Sequence, residues 1–484
     1  MTDARIVIIG SGFSGIGVAI RLKQAGIHDF VILERAGDLG GVWRDNSYPG
    51  CACDVESHLY EFAFAPNPEW SRRFAPQAEI WQYLRHCAER FGILPHIRYH
   101  QTVIGATWDD GAARWTVVTP KARYRAGILI AATGALSEPR LPDIPGIDQF
   151  SGPVFHSARW DHSVDLAGKR VAVLGTGASA VQFIPAIQPR VDRLTVFQRT
   201  PAWVVPRQDR ATPDWARSLF RRVPAAQQFF RARINGYRDM LGVGFRHPMV
   251  MRLLLARAKQ HLRQSIADPA LRARLTPDFM LGCKRILVSD DYLPALAQPN
   301  VEVVSGAATR ITRDGVAAAD GIERPADVII CSTGFQVTEF PFAEWICGRE
   351  GLSLADAWRP SAKAHLGTTV SGFPNLFLVP GPNTGLGHSS VILMFEAQFE
   401  HIVSAVRYMD GHGVAAAEPR PEAQAAFVAE VDRRMAKTVW VTGGCRSWYL
   451  DATGRNSTLW PGTISQFRRR VERFRPDEYQ IRSR

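Results

Sequence analysis

The chain has 484 residues, of which 46% are hydrophobic and 21% are charged, and its formal net charge is +12. This length suffices for two or three domains with complete cores, and the composition is that of an ordinary globular protein. The positive charge suits an anionic ligand, but no basic stripe with interleaved aromatic residues indicates a nucleic-acid partner. No run of about 18 apolar residues indicates a transmembrane helix.

The seven cysteines are scattered through the sequence as Cys51, Cys53, Cys87, Cys283, Cys331, Cys347 and Cys445. They form no CxxC pair and no Cys/His spacing typical of zinc sites, so we expect neither a disulfide framework nor a metal site. The chain enters its first strand by Arg5 and begins without the features of a signal peptide. We therefore expect reduced thiols in a cytoplasmic protein that is a monomer or a weak homo-oligomer.

The N-terminal segment has the pattern of a buried strand, a glycine turn and a helix. The apolar run Ile6–Ile9 predicts the strand, Gly10–Gly15 the turn and Ile16–Gln24 the helix. The next predicted strand, Phe30–Leu33, ends at Glu34. Glycines in such a turn let the backbone approach a pyrophosphate at the helix N-terminus, and a carboxylate after the second strand accepts hydrogen bonds from a ribose. We therefore predict an FAD site here.

The following stretch continues the first domain. Residues 37–68 are rich in Gly, Pro, Asn and Asp and contain the acidic sequence Asp54-Val-Glu56. The elements predicted after this loop are a helix over Gln77–Phe91, hairpin strands over Arg98–Pro120, and a buried strand over Ile128–Ala132 that leads into Thr133-Gly134.

A second strand–turn–helix unit begins at Lys169, after the Pro- and Gly-rich crossing Pro139–Pro153. Its turn is Gly175–Ala180, and its next strand ends at Arg199. Arg199 follows the first glycine of its turn by 24 residues, as Glu34 does in the first unit. An arginine at this place attracts a 2′-phosphate that a carboxylate would repel. The second unit is therefore predicted to bind NADPH.

Strand signals vanish between about Thr212 and Arg274, where arginine is frequent and apolar residues recur at helical spacing, so we expect a helical insertion. Buried strands return at Val301–Val304 and Asp327–Cys331, and we assign the later strand Asn375–Val379 to the first domain. The predicted fold class is α/β, with two dinucleotide-binding (Rossmann-like) domains and a helical insertion in the second. The predicted domains are an FAD-binding domain of residues 1–148 and 345–484, an NADPH-binding domain of residues 149–206 and 279–344, and an insertion of residues 207–278.

The segment between the two units carries a specific string, Phe150-x-Gly152-x-x-x-His156-x-x-x-Trp160-Asp161. In this string the chain resembles the type I Baeyer–Villiger monooxygenases, whose fingerprint is F-x-G-x-x-x-H-x-x-x-W-(P/D). Every fixed position is met, and the string lies between two nucleotide turns in the family's order. The resemblance implies an FAD enzyme that uses NADPH and O₂ to insert one oxygen beside a ketone carbonyl, through a C4a-peroxyflavin, giving an ester or lactone. It also implies sulfoxidation as a side activity.

The resemblance implies roles for particular residues as well. Arg285, in the loop Leu281–Leu287, matches the family's active-site arginine, and Asp54 matches an aspartate beside the flavin. Lys284 matches a lysine that contacts the NADPH phosphate, whereas His156 would couple cofactor handling to domain movement. A fixed guanidinium suits this chemistry because it stabilises a negatively charged oxygen without losing its proton.

The predicted catalytic residues are thus Arg285 and Asp54. The predicted cofactor-binding residues come from both glycine turns, the strand ends and the loops that resemble the family: Gly10, Gly12, Phe13, Ser14, Gly15, Glu34, Arg35, Gly41, Val42, Trp43, Asp54, Thr133, Gly134, His156, Trp160, Gly175, Thr176, Gly177, Ala178, Ser179, Arg199, Thr200, Lys284, Thr333, Gly334 and Asn383. In the C-terminal segment, Trp448, Tyr449 and Trp460 either line the substrate pocket or pack in the interior, and the sequence leaves both interpretations open.

Three other functions use part of the same pattern. A flavin-containing monooxygenase that hydroxylates amines or sulfides would keep both cofactors but would not need Arg285. A flavin disulfide reductase would need a cysteine pair at the flavin, and Cys51-x-Cys53 has the wrong spacing. A nucleotide-binding regulator without catalytic activity would have no use for Asp54 and Arg285 beside two glycine turns.

Overall fold

A computed structural model describes residues 1–484, apart from the side chains of residues 248 and 249. The predicted α/β fold class is confirmed. Two sheets built around parallel strands each carry a glycine turn and a helix at the same edge, and a helical segment interrupts the second unit.

The strands, in chain order, are β1 (Thr2–Ile9), β2 (Phe30–Leu33), β3 (Ile97–Arg98), β4 (Gly105–Asp109), β5 (Arg114–Val118), β6 (Arg123–Ala131), β7 (Val154–His156), β8 (Arg170–Leu174), β9 (Arg193–Gln198), β10 (Val204–Val205), β11 (Leu287–Val288), β12 (Val301–Ser305), β13 (Ala308–Ile311), β14 (Gly315–Ala318), β15 (Glu323–Pro325), β16 (Val328–Cys331), β17 (Ile346–Cys347), β18 (Leu376–Leu378), β19 (Val414–Pro419) and β20 (Tyr479–Ser483).

The α-helices, in chain order, are α1 (Phe13–Gln24), α2 (Val42–Asp45), α3 (Gln77–Arg90), α4 (Ala178–Ile187), α5 (Asp214–Arg222), α6 (Pro224–Gly244), α7 (Pro248–Ser265), α8 (Pro269–Arg274), α9 (Tyr292–Leu296), α10 (Leu354–Ala357), α11 (Val391–Gly411), α12 (Pro421–Met435), α13 (Val439–Thr442) and α14 (Ile464–Val471).

The first sheet is built around β1, whose apolar run Ile6–Ile9 is buried against a hydrophobic core on each face. Strand β1 pairs in parallel with β2 and with β6, so that Ile9 lies between Leu33 and Ala131. The sheet order is β17–β4–β5–β6–β1–β2–β3, and β18 also pairs with β6. Because β17 and β18 follow the second sheet in the sequence, the chain returns to the first sheet.

The second sheet has the order β12–β9–β8–β16–β7, with every pair parallel. Its central strand β8 ends at Leu174, which lies between Phe197 and Cys331. Helix α4 begins after Gly177, as α1 begins after Gly12. Each unit therefore presents a helix N-terminus, with its positive partial charge, at the carboxyl edge of a parallel sheet.

Two segments that link the domains pair with each other directly. The Arg140 N–H donates to the Gly334 carbonyl at 2.9 Å, and the Gln336 N–H donates to the Glu138 carbonyl at 3.0 Å. One segment follows the end of β6 and the other follows the end of β16. These bonds therefore hold the ligand-binding edges of the two sheets beside each other.

The insertion contains α5–α8 and reaches back to the first domain through polar contacts of α6. Gln227 donates to the Glu61 carboxylate at 3.1 Å, Arg231 donates to the Glu61 carbonyl at 2.9 Å, and Arg238 pairs with Glu56 at 2.7 Å. The insertion thus fixes the first-domain loop that also contains Asp54.

Within the described part of the chain, no helix combines the length and apolarity needed to span a bilayer.

Glu61 lies at the centre of this polar contact and is completely buried. Its carboxylate accepts from the Asn67 N–H at 2.8 Å and from the Trp70 indole N–H at 2.7 Å. Burial raises the pKa of Glu61 to about 8, although the charge of Arg231 and the hydrogen bonds oppose this shift. The native protein therefore retains a proton on Glu61 at neutral pH that the unfolded chain has lost.

We expect Glu61→Gln to flatten the pH dependence of stability. The Glu61 proton is held by the native state alone between about pH 4.5 and 8, so this group makes stability fall as pH rises through that interval. Burial lowers the pKa of the neighbouring His58 to about 4, so His58 affects stability only below about pH 6.5. Between about pH 6.5 and 8 the midpoint of thermal unfolding should therefore fall more steeply with pH for the wild type than for Glu61→Gln. Parallel curves would contradict the raised pKa of Glu61.

Candidate active site

The two predicted catalytic residues contact each other although 231 positions separate them. Arg285 donates from Nε and Nη2 to the two carboxylate oxygens of Asp54, each at 2.8 Å. Burial acts to raise the pKa of Asp54, but the charge and hydrogen bonds of Arg285 hold it below its usual value. The Asp54 charge in turn raises the pKa of Arg285 above its usual value. The site therefore holds an oriented guanidinium that keeps its proton.

Both domains hold the loop that carries Asp54. Gln182, on α4 of the second domain, donates to the Ala52 carbonyl at 2.9 Å, and Arg207 donates to the Cys53 carbonyl at 3.1 Å. Sequence reasoning missed both residues because neither belongs to a motif. Their contacts make the position of Asp54 depend on the docking of one domain against the other.

The first glycine turn fits a dinucleotide. Gly10 has φ of +98°, and a Cβ at this position would lie 2.6 Å from the Ala132 carbonyl oxygen, so only glycine allows β1 and β6 to end so close together. Glu34, at the end of β2, is buried and accepts from the Ser11 N–H at 3.0 Å and its hydroxyl at 2.6 Å. A narrow turn, a helix N-terminus and a carboxylate thus meet where FAD is predicted.

The second glycine turn repeats this geometry with opposite charge. Gly175 has φ of +105°, and its Cβ would lie 2.5 Å from the Ser332 carbonyl oxygen, whereas a Cβ at Gly177 would meet no atom within 4 Å. Arg199 is exposed at the end of β9. Burial lowers the pKa of Lys284, and the nearby charge of Arg199 lowers it further. Two of the residues predicted to bind NADPH, both cations, therefore lie near enough to affect each other.

His156, from the fingerprint, is buried at the end of β7 beside the second turn. Its Nδ1 accepts from the Ala158 N–H at 3.1 Å, and its ring meets that of Phe335 edge-on at 5.8 Å. Burial lowers the pKa of His156 to about 4. The imidazole is therefore neutral at physiological pH, and its environment is that of a positioning group rather than a proton donor.

The chain matches the family described as flavin-binding monooxygenase-like over residues 3–347. It is 52% identical over 479 residues to a Baeyer–Villiger monooxygenase of Streptomyces coelicolor, an alignment that covers 99% of this chain and 92% of that relative. The chain belongs to the type I Baeyer–Villiger monooxygenases of this family. The resemblance seen in the sequence is thereby confirmed.

Solved structures support the same assignment of this Baeyer–Villiger monooxygenase. Cyclohexanone monooxygenase from Rhodococcus sp. Phi1 bound to NADP⁺ has a TM-score of 0.89 and 28% sequence identity, with 100% of both chains covered. OTEMO in complex with FAD and NADP has the same TM-score and identity, with 99% of both chains covered. The predicted cofactors FAD and NADPH are therefore confirmed. A related cyclohexanone monooxygenase structure contains ε-caprolactone.

The loop that carries Arg285 in this monooxygenase is joined covalently to the C-terminal segment. Cys283 and Cys445 form a disulfide with their Cα atoms 6.1 Å apart, so the expectation of seven reduced thiols without disulfides was wrong for this pair. The two cysteines lie 162 positions apart, and such a spacing carries no local signal of their proximity. The five cysteines that remain free are Cys51, Cys53, Cys87, Cys331 and Cys347.

Tyr449, four positions after the second of these cysteines, lies beside the Asp54–Arg285 pair. Burial raises the pKa of Tyr449 to about 12, while Arg285 lowers it and Asp54 raises it through their charges. Its buried hydroxyl lies in hydrogen-bonding range of Arg285, and its own proton has no acceptor among the described residues. The monooxygenase thus presents a neutral hydroxyl with an available proton next to the guanidinium, which suits the interpretation of Tyr449 as a residue that faces a ligand.

The other aromatic residues of the C-terminal segment differ from Tyr449. The Trp460 ring is buried and lies 5.3 Å from that of Phe467, so it packs in the interior. Trp448 is exposed, with its ring 4.3 Å from that of Tyr449.

The side chains of some predicted cofactor residues of the monooxygenase pack against or hydrogen-bond to other residues of the protein. The Phe13 ring packs against Tyr60 at 5.2 Å, and the Trp43 indole N–H donates to the Tyr60 hydroxyl at 3.1 Å. The Asn383 side chain donates to the Asn456 carbonyl at 2.7 Å and to the Leu459 carbonyl at 3.0 Å. At these three positions the side chain is therefore engaged within the protein itself.

The remaining predicted cofactor residues of the monooxygenase lie in or beside the two turns, near strand ends or, for Trp160, between β7 and β8. Trp160 packs between Phe155 and Phe183, with ring separations of 5.2 and 5.3 Å, and Arg35 pairs with Glu138. The others follow or border β1, β2, β6, β8, β9 and β16: Gly12, Ser14, Gly15, Gly41, Val42, Thr133, Gly134, Thr176, Ala178, Ser179, Thr200, Thr333 and Gly334.

We expect five cysteines of the unfolded, unreduced monooxygenase to react with a maleimide and seven to react after reduction. The double variant Cys283→Ser/Cys445→Ser should lower the free energy of unfolding by about 2–5 kcal/mol, because the bond restricts a long loop of the unfolded chain. Cys347→Ser, which changes a free cysteine, is the matched control. Seven reactive thiols before reduction would contradict the disulfide.

Proposed function

We propose that Arg285, oriented by Asp54, is the group on which oxygen transfer to the ketone depends. The enzyme is an FAD- and NADPH-dependent Baeyer–Villiger monooxygenase, and it converts ketones to esters or lactones. The overall reaction consumes the ketone, O₂, NADPH and a proton, and it yields the ester, NADP⁺ and water. The observation that carries the proposal is the bidentate contact of Arg285 with both oxygens of Asp54.

Bound FAD supplies the chemistry that accepts hydride from NADPH and activates O₂. Arg285 stabilises the negative charge that develops on oxygen as the carbonyl carbon is attacked. Its raised pKa keeps the guanidinium charged, so it does not give up a proton to the attacking oxygen. Asp54 fixes the plane of the guanidinium through Nε and Nη2, so Nη1 takes no part in the ion pair.

The substrate proposed for this site is a small ketone whose carbonyl oxygen faces the guanidinium. The hydroxyl proton of Tyr449, which has no acceptor among the described residues, is the second donor available beside Arg285. Both side chains of the Asp54–Arg285 pair are partly exposed, so a ligand has access to them. Binding of ε-caprolactone by a related cyclohexanone monooxygenase supports a ligand of this size.

Arg199 and Lys284 are proposed to hold the 2′-phosphate of NADPH. They come from the end of β9 and from the residue before Arg285, and the charge of one shifts the pKa of the other. The loop that binds coenzyme phosphate is thus continuous with the loop that carries the proposed catalytic guanidinium. Coenzyme binding and placement of Arg285 therefore involve the same short segment.

We expect Arg285→Ala to lower the rate of ester formation by at least about 100-fold, as loss of a donor to a developing oxyanion does. Reduction of the flavin by NADPH should continue at a rate within a few-fold of the wild type, measured by stopped-flow absorbance. Arg285→Lys keeps a positive charge but loses the two parallel bonds to Asp54, so its rate of ester formation should lie between those of the wild type and Arg285→Ala. An unchanged ester yield from Arg285→Ala would contradict the role.

We expect Arg199→Ala and Lys284→Ala each to raise the KM for NADPH by about tenfold or more, with little change for NADH, because each removes a cation from the phosphate. Steady-state oxidation of both coenzymes measures this ratio. Arg193→Ala is the matched control, since Arg193 begins β9 at the opposite edge of the sheet and pairs with Glu302. Equal effects on NADPH and NADH would argue against a phosphate contact.

A further inference from the structure

Helix α6 has its polar side turned toward the protein and its apolar side turned toward solvent. Gln227, Arg231 and Arg238 share one face, and that face makes the contacts to the first-domain loop. On the opposite face, Phe229 is 67% exposed and Met240 is 62% exposed. Ile234 also packs against the first-domain core from the inner face, so α6 departs from the usual amphipathic helix in turning large apolar side chains toward solvent as well.

The outward residues of α6 form a continuous line, which we call the α6 stripe: Phe229, Arg233, Tyr237 and Met240. Their spacings of four, four and three residues place them on one side of the helix. All four side chains belong to exposed residues, so an arginine lies within a line of two aromatic residues and a methionine. Packing within the chain therefore does not account for the apolar members of the stripe.

The helices beside α6 have the same composition on their exposed sides. Trp215 and Leu219 are exposed one turn apart on α5, and Leu253 on α7 is 75% exposed. Of the nineteen large hydrophobic side chains that the described structure exposes, nine lie between Trp215 and Leu253. Scattered exposed apolar residues need no explanation, but such a concentration marks an interaction surface.

The same segment carries most of the net positive charge of the protein. Residues 207–278 contain fifteen Arg and Lys against five Asp, a net charge of +10 out of +12 for the whole chain. A second copy of this surface would repel the first, which disfavours a symmetric dimer through the α6 stripe. The complementary partner is therefore anionic and also able to take up aromatic and aliphatic side chains.

We propose that the insertion docks on the surface of an anionic lipid bilayer through the α6 stripe. Phe229, Tyr237 and Met240 enter the boundary between headgroups and acyl chains, and Arg233 remains at the phosphates. The exposed residues Arg222 on α5 and Arg252 and Arg257 on α7 add electrostatic attraction to anionic headgroups. The polar inner face of α6 stays attached to the loop of Glu56 and Glu61, so docking leaves the fold unchanged.

The test is flotation of the FAD-loaded enzyme with unilamellar vesicles of phosphatidylcholine, alone or with about one-third phosphatidylglycerol. We expect binding to the anionic vesicles that weakens with salt, and much weaker binding to phosphatidylcholine alone. Phe229→Ser/Met240→Ser should weaken binding to anionic vesicles by about tenfold or more, because two apolar contacts are lost. Leu141→Ser/Ile322→Ser, which changes two exposed apolar residues elsewhere, is the matched control and should bind as the wild type does.

Thermal midpoints and ketone turnover without vesicles should be equal for both double variants and the wild type, which separates docking from folding and from catalysis. Absence of binding to anionic vesicles would overturn the proposal. Equal binding by Phe229→Ser/Met240→Ser would overturn the role of the stripe, because charge alone would then account for attachment. A concentration-dependent dimer that this variant loses would assign the surface to a second copy of the chain instead.

Discussion

The ion pair of Asp54 with Arg285 is the contact on which the geometry of the site depends, because its two members come from different domains. Removal of either charge would leave the other partly buried without compensation, which is costly in a protein interior. The pair forms only when the loops of both domains are docked against each other. The working position of the guanidinium is therefore a property of the assembled molecule, and neither nucleotide-binding unit supplies it alone.

The surrounding contacts act on the backbones of these two loops rather than on the pair itself. Gln182 and Arg207 fix the carbonyls just before Asp54, and the disulfide at Cys283 fixes the loop just before Arg285. Such support matters because a planar guanidinium meets a carboxylate through two parallel bonds only when both groups are oriented. A point charge such as a lysine ammonium would tolerate looser loops.

The sequence predicted what neighbouring residues determine, and it failed where distant segments meet. The apolar runs and glycine turns defined the two units because strand burial and positive φ are local requirements. The bond between Cys283 and Cys445 joins segments 162 residues apart, so no local pattern marked it. Tyr449 was a candidate pocket residue in the sequence, but its place beside Arg285 became apparent only in the fold. The composition of α6 predicted a helix but not which of its faces is buried. The buried face is the one whose polar side chains reach Glu56 and Glu61 in the first-domain loop.

The two glycine turns show how little of a dinucleotide site decides which coenzyme it takes. Gly10 and Gly175 have nearly the same φ, and each lies against the carbonyl of the residue that follows a neighbouring strand. Both turns therefore offer a pyrophosphate the same backbone. The difference lies at the end of the next strand, where Glu34 is buried and bonded to Ser11 while Arg199 is exposed near Lys284. Because a phosphate is repelled by the first arrangement and attracted by the second, we expect this difference of charge to select the 2′-phosphate of NADPH in the second unit.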